Sequence, residues 1–170
     1  MKYFNENKNT SESEELYGRL ANICLKHLMF SSDAYVCMIK LNLHGYKRLH
    51  RVLAKEFYDI YLELQNDIVE MYHKVLPVEQ DFEPYTTDSI KEHLYHWNKE
   101  AQEDLKDVGI IIKDIFEQDG YIPCVAQKVQ KMLYRNIIKN ERAIQKFEDC
   151  DWSNEVIYIH DKYLHDKMKH

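Results

Sequence analysis

Apolar residues recur along this chain at steps of three and four, a spacing that places them on one side of an α-helix. The clearest run begins at His44 and stops before Pro77, a residue that cannot continue a helix. Its apolar face carries Leu53, Phe57, Ile60, Leu64, Ile68, Met71 and Val75. The pattern predicts one long amphipathic helix over residues 44 to 76, which must bury this face against other elements.

Three further segments have the same periodicity and are predicted to be helices, covering about 11–40, 90–117 and 123–148. Two of them are preceded by a pair with the spacing of a capping box, Ser11 with Glu14 and Ser89 with Glu92. Pro123 suits the first turn of the last helix, because its missing N–H has no partner there in any case.

Four long helices with one apolar stripe each predict an all-α protein built as a four-helix bundle. We expect a mobile polar tail over residues 1–13, the bundle over 14–148 and a short C-terminal extension over 149–170. The extension contains the stretch NEVIYIHDKYLHDKMKH. A short fifth helix and an apolar strap across the bundle are both consistent with it.

The connection between the second and third helices bears on the topology. A helix ending at residue 76 leaves residues 77–89 to reach the start of the next one. Returning along a helix of ~46 Å, at 1.5 Å per residue, would need nearly full extension of that segment. This favours simple up-down-up-down connectivity slightly, with a crossover left open.

Composition and charge limit the range of functions. The chain has 170 residues, 45% of them hydrophobic, with four Gly and three Pro, which favours helix over an all-β structure. A net charge of −6 opposes binding to nucleic acid or to an anionic membrane unless a local basic patch exists. No apolar run reaches the ~18 residues of a membrane span. We therefore expect a cytoplasmic protein, with no membrane contact, whose cysteines Cys24, Cys37, Cys124 and Cys150 are reduced.

Several residues on or beside the apolar stripes could bind a metal. His27 lies within the first stripe, His50 opens the second, and Glu100 and Asp104 follow one edge of the third together with His93. Imidazoles and carboxylates that converge from facing helices are how helical bundles hold di-iron centres. The other interpretation is that the histidines are hydrogen-bonded core residues and the carboxylates are solvated. Both stay open.

Two further pairs are candidates for contacts with ligands. Glu70 and His73 have the Glu-x-x-His spacing of ferritin-type metal sites, and Glu70 is kept as a candidate ligand. Asn136 and Asn140 interrupt the fourth stripe one helical turn apart. The two amides are either contacts to a ligand or to another subunit, or hydrogen-bonded residues at the boundary of the core.

The run LHGYKRLHRVLAKEFYDIYLELQNDIVEMYHKV, with IIKNERAIQKF on the fourth helix, resembles the Dps branch of the ferritin-like superfamily. The most specific part is the step from Tyr46 to His50, and the resemblance extends over most of residues 15–148. It implies a homo-oligomer in the form of a hollow shell, with iron bound between subunits by His50. Counted without gaps, the other ligand positions of the family fall on Met38, Ala54, Gln65 and Val69, and a shift of one residue recovers only Glu70.

The sequence thus leaves two functions open. The first is an oligomeric, iron- or other metal-binding protein with a depleted ferroxidase site, for which His27, His50, Glu70, Glu100 and Asp104 are the candidate ligands. The second is a non-catalytic helical module that binds a protein partner and no metal. The thirteen tyrosines suit the second, because amphipathic aromatic side chains favour protein interfaces.

Overall fold

The computed structural model describes residues 8–73 and 82–168, and within them the regular structure is entirely helical. There are five α-helices in this part of the chain: α1 Lys8–Lys40, α2 His44–Tyr72, α3 Ile90–Asp119, α4 Cys124–Asp149 and α5 Asn154–Lys167. The first four form a bundle, in which α1 packs on α2 and α3 packs on α4, while α5 packs on α2. The predicted all-α four-helix bundle is confirmed, and the C-terminal extension contains a short helix rather than a strap.

The apolar stripes form the core of the bundle. The predicted inward residues of α2 are buried from Leu53 to Ile68, Met71 is partly buried, and Val75 lies outside the described residues. The stripe of α4 is buried from Ala126 to Phe147. Cys24 and Cys37 are buried free thiols, while Cys124 and Cys150 are exposed. The core therefore follows the periodicity of the sequence closely.

Both ends of α3 agree with local sequence signals, whereas the start of α1 differs from the prediction. Ser89 caps α3, its Oγ accepting a hydrogen bond of 3.1 Å from the Glu92 N–H, and Gly120 ends α3 with a φ of 76°. Helix α1 begins at Lys8, three residues before the predicted start near Ser11, so Ser11 lies within the helix and does not cap it. Buried Ser13 donates to the Gln118 side chain at 2.9 Å, and this contact with the end of α3 holds the first turns of α1. Residues 1–7 of the predicted tail lie outside the described range.

The preference for up-down-up-down connectivity was wrong. Ser13 near the start of α1 contacts Gln118 at the end of α3, so these two helices are antiparallel. His50 and His93, near the starts of α2 and α3, lie 2.8 Å apart, so α2 and α3 are parallel. The connection between α2 and α3 therefore crosses back along the bundle.

The crossover is allowed because α2 is shorter than the sequence predicts. The helix ends at Tyr72, where His73 adopts a left-handed conformation with a φ of 57° and donates its N–H to the Val69 carbonyl. The connection thus runs from residue 73 to residue 89. It has to return along ~43 Å of helix, at 1.5 Å per residue, and can do so without full extension.

The packing of α5 on α2 depends on the first turn of α2. Gly45 is buried, and a Cβ atom there would overlap the Asp161 carbonyl oxygen and lie 2.9 Å from the His165 nitrogen. The Tyr46 N–H, unpaired within its own helix because it lies in the first turn, donates to the Asp161 carboxylate at 2.9 Å. A cavity lies beside this contact, between α2, α4 and α5, and Tyr46 is part of its lining.

Candidate functional site

Two groups of polar residues, partly or fully buried, lie between α1, α2 and α3. We call Lys26, His27, Glu100 and Asp104 the ion cluster, and His50 with His93 the histidine pair. His27, His50 and His93 are each at most 2% exposed, and Asp104 is 6% exposed. Side chains buried to this degree need partners, because an unpaired polar group inside a protein is costly.

The ion cluster joins α1 to α3. Lys26 and His27 are consecutive on α1, while Glu100 and Asp104 lie one turn apart on α3 and so share a face. The His27 Nε2–H donates to the Asp104 carboxylate at 2.7 Å, and the Lys26 ammonium lies 3.1 Å from the same carboxylate and 2.5 Å from that of Glu100. The His27 ring also stacks on Phe57 of α2, with centroids 5.1 Å apart.

The electrostatics of the ion cluster favour its charged form. Burial by itself would raise the pKa of Asp104, but the hydrogen bond from His27 and the positive charge of Lys26 outweigh it and lower that pKa. For Lys26, burial opposes the charge, while the hydrogen bond and negative charge of Glu100 and the charge of Asp104 raise the pKa. The ammonium group is therefore held between two carboxylates, in the place where a bound cation would be stabilised.

The histidine pair lies toward the beginning of α2 and α3. The Nε2 atoms of His50 and His93 are 2.8 Å apart, and the Nδ1 atom of His93 lies 2.8 Å from the Tyr85 hydroxyl in the crossover. The Phe30 ring stacks on His93 with an angle of 6° between the planes, and Trp97 packs against His50. Aromatic rings thus enclose a chain of hydrogen bonds from α2 through α3 to the crossover.

Both histidines of the pair are neutral at ordinary pH. Burial, with a further contribution from His93, holds the pKa of His50 well below its usual value, and burial next to His96 lowers the pKa of His93 to about 3. The Nδ1 atom of His50 has no hydrogen-bond partner among the described residues. Since an unpaired acceptor is tolerated better than an unpaired N–H, His50 carries its proton on Nε2 and donates to His93.

The structure brings together three of the five predicted ligands. His27, Glu100 and Asp104 belong to the ion cluster, whereas His50 belongs to the histidine pair. Glu70 is exposed and accepts a hydrogen bond of 3.3 Å from Asn66 on its own helix. Sequence reasoning missed the parts played by Lys26 and Tyr85. The position of Lys26 next to His27 could have indicated its part in the ion cluster. No signal in the sequence indicated the contact of Tyr85 with His93, because Tyr85 lies in an irregular segment.

The donors in the ion cluster do not fit a di-iron centre. Such a centre takes carboxylates from all four helices and imidazoles from two of them. Next to His27, α2 contributes the Phe57 ring, which is not a metal ligand. The buried polar residues of α4 are the amides Asn136 and Asn140, so α4 provides no buried carboxylate. Across residues 8–73 and 82–168, no three His, Cys, Asp or Glu side chains form a group that could hold a metal ion.

The antiparallel α1–α2 pair, the crossover, the antiparallel α3–α4 pair and the short fifth helix together define a ferritin-like fold. The structure is similar to that of an open-pore ferritin from the hyperthermophilic archaeon Archaeoglobus fulgidus, with a TM-score of 0.78 and 12% identity over 96% of this chain and 98% of that one. An engineered closed form of the same ferritin also gives a TM-score of 0.78, with 15% sequence identity over 91% of this chain and 94% of that one.

The similarity extends to a bacterioferritin. The protein from Desulfovibrio desulfuricans, solved to follow its diiron site in different catalytic states, gives a TM-score of 0.73 at 9% identity, over 96% of this chain and 91% of that one. Neither a family model nor a curated protein matches the sequence. The assignment to the Dps branch stays a prediction. None of the described helices has both the length and the apolar character that a membrane span requires.

Proposed function

We propose that this protein is a self-assembling ferritin-like subunit in which the ammonium group of Lys26 takes the place of an interior di-iron centre. The observation that carries the proposal is the position of that ammonium, 2.5 Å from Glu100 and 3.1 Å from Asp104. A cation fixed to the chain lies between the two carboxylates and balances part of their negative charge. The role of the protein is then to assemble and to bind other molecules, and it does not oxidise iron.

A metal titration tests this proposal. We expect anaerobic calorimetry with Fe²⁺ to detect no stoichiometric binding that depends on Asp104, so that the wild type and Asp104→Asn give the same isotherm. Lys26→Met removes the competing ammonium and is the matched variant, which should gain affinity for a divalent cation. Tight binding of Fe²⁺ to the wild type that is lost in Asp104→Asn would contradict the proposal.

Self-assembly is supported by an apolar row on the outer face of α2. Tyr58, Leu62 and Val69 follow one another at steps of four and seven, which places them on one side of the helix. They are 48%, 46% and 41% exposed. A row of this kind on a surface helix is typical of an interface. The occupant that we propose is a second copy of this chain, in keeping with the resemblance of the sequence to a shell-forming family.

A further inference from the structure

The cavity between α2, α4 and α5 has a volume of about 450 Å³, within the range of small-molecule sites. We call it the α5 cavity. Its walls are mainly apolar, with Leu49 and Leu53 from α2 and Leu164 from α5. An elongated apolar group could lie along these side chains and remove them from water.

Positive charge borders the α5 cavity. Lys139 and Lys146 reach it from α4 and Lys167 from α5. Burial, together with the charges of Arg135 and Lys167, lowers the pKa of Lys139, so the positive charge is incompletely balanced. Among the described residues of the lining, the one carboxylate belongs to Glu56, and it is paired with Arg135 at 2.6 Å. The cavity therefore favours an anion.

Two buried amides in the lining of the α5 cavity have unused donors. Asn136 and Asn140 are each 3% exposed and lie one turn apart on the same face of α4. The side-chain nitrogen of each has no hydrogen-bond partner in the described part of the protein. Buried donors are almost always paired in folded proteins, so two unpaired ones in the lining of a cavity indicate a missing acceptor.

We propose that the α5 cavity binds a small carboxylic acid with an aliphatic tail. The carboxylate accepts hydrogen bonds from the amides of Asn136 and Asn140 and is neutralised by Lys139 and Lys167. The tail packs against Leu53 and the other apolar side chains of the walls. This inference does not depend on the ion cluster or on self-assembly, since it rests on a different part of the fold.

Calorimetry of the full chain with decanoate tests the site. Two control probes are decanol, which lacks the negative charge, and acetate, which lacks the aliphatic tail. We expect about one decanoate per chain, bound at least tenfold more tightly than either control. Equal binding of decanol, or no binding of decanoate at millimolar concentration, would overturn the proposal.

Two variants separate a binding role from a structural one. Asn140→Leu should weaken decanoate binding at least tenfold while keeping or raising the melting temperature, because it removes an unpaired buried donor. Lys139→Met should weaken binding, whereas Lys131→Met, an exposed lysine on α4 outside the cavity, should not. Unchanged affinity in Asn140→Leu, or equal losses in the two lysine variants, would contradict the site.

Discussion

At the scale of single residues, Asp104 has more partners than Glu100 in the ion cluster. It is 6% exposed and interacts with both His27 and Lys26, while the Glu100 side chain is 25% exposed and is paired with Lys26. Removing the charge of Asp104 weakens both interactions and leaves the ring nitrogen of His27 with a poorer acceptor. The two carboxylates are therefore expected to differ in their contribution to stability.

We expect Asp104→Asn to lower the free energy of unfolding by ~1 to 3 kcal/mol, the range for a buried polar group that loses a charged partner. Glu100→Gln is the matched change, and because its pair is partly exposed it should cost at most ~1 kcal/mol. Urea denaturation of both variants measures the difference. Equal losses would show that the ion cluster is not organised around Asp104.

The histidine pair makes stability depend on pH. The pKa values of His50 and His93 are lower in the folded protein than in the unfolded chain, so the unfolded chain takes up protons first as the pH falls. Stability is complete above pH ~6.5 and is lost as the pH falls from there toward the folded value of about 3 for His93. For His93 the free energy of unfolding should fall by up to ~2 kcal/mol between pH 7 and pH 5, and the lowered pKa of His50 acts in the same direction.

A series of melting curves between pH 7 and pH 5 measures this loss. In His93→Gln one buried neutral imidazole is gone, so the decrease over the same interval should be smaller than in the wild type. His44→Gln changes an exposed histidine and should keep the decrease of the wild type. A wild type whose stability does not fall over this interval would refute the neutral pair.

The residues of the ion cluster could be predicted only in part from the sequence. His27, Glu100 and Asp104 stood out because their spacing put metal-ligating side chains on or beside an apolar stripe. Whether a lysine or a metal neutralises the carboxylates depends on the register between α1 and α3, which the periodicity of each helix does not contain. The same is true of His50, since its partner His93 lies on a helix that follows the crossover.

At the scale of helices, Gly45 fixes the distance between α2 and α5. A Cβ atom at this position would overlap the backbone of Asp161, and the backbone of α5 cannot move away without losing the hydrogen bond to Tyr46. Gly109 lies within α3, and a Cβ atom there would have no neighbour within 4 Å. The two glycines therefore form a matched pair for substitution.

We expect Gly45→Ala to lower the free energy of unfolding by ~1 to 3 kcal/mol, the cost of overpacking, and to increase hydrogen exchange along α5. Gly109→Ala should be stabilising by ~0.5 to 1 kcal/mol, because alanine favours a helix over glycine. Denaturation and hydrogen exchange of both variants are the measurements. A neutral Gly45→Ala would mean that α5 does not pack closely on α2.

The existence of the helices was predictable, but their order in space was not. Ser89 and Gly120 marked the ends of α3 correctly, because capping and turn signals are local. The end of α2 was set by the left-handed conformation of His73, which no spacing in the sequence indicated. Because α2 ends earlier than predicted, the connection to α3 is longer, and it can cross back along the bundle.

At the scale of the whole molecule, the outer face of α2 should carry an interface between copies. We expect the wild type to form oligomers, and Leu62→Glu to dissociate them by placing a charge within the apolar row. Ile110→Glu introduces the same charge at a residue of α3 that is 53% exposed, and it should leave the oligomers intact. Light scattering after size-exclusion chromatography measures the mass. A monomeric wild type would contradict assembly through this face.

In the function that we propose, Lys26 occupies the position of an interior metal. A crystal structure of the protein grown with excess Fe²⁺, with diffraction data collected at the iron absorption edge, tests it most directly. We predict the Lys26 ammonium between Glu100 and Asp104, with no anomalous peak inside the bundle at that level. An anomalous peak bound by His27 and Asp104, with the Lys26 side chain displaced toward solvent, would contradict the claim.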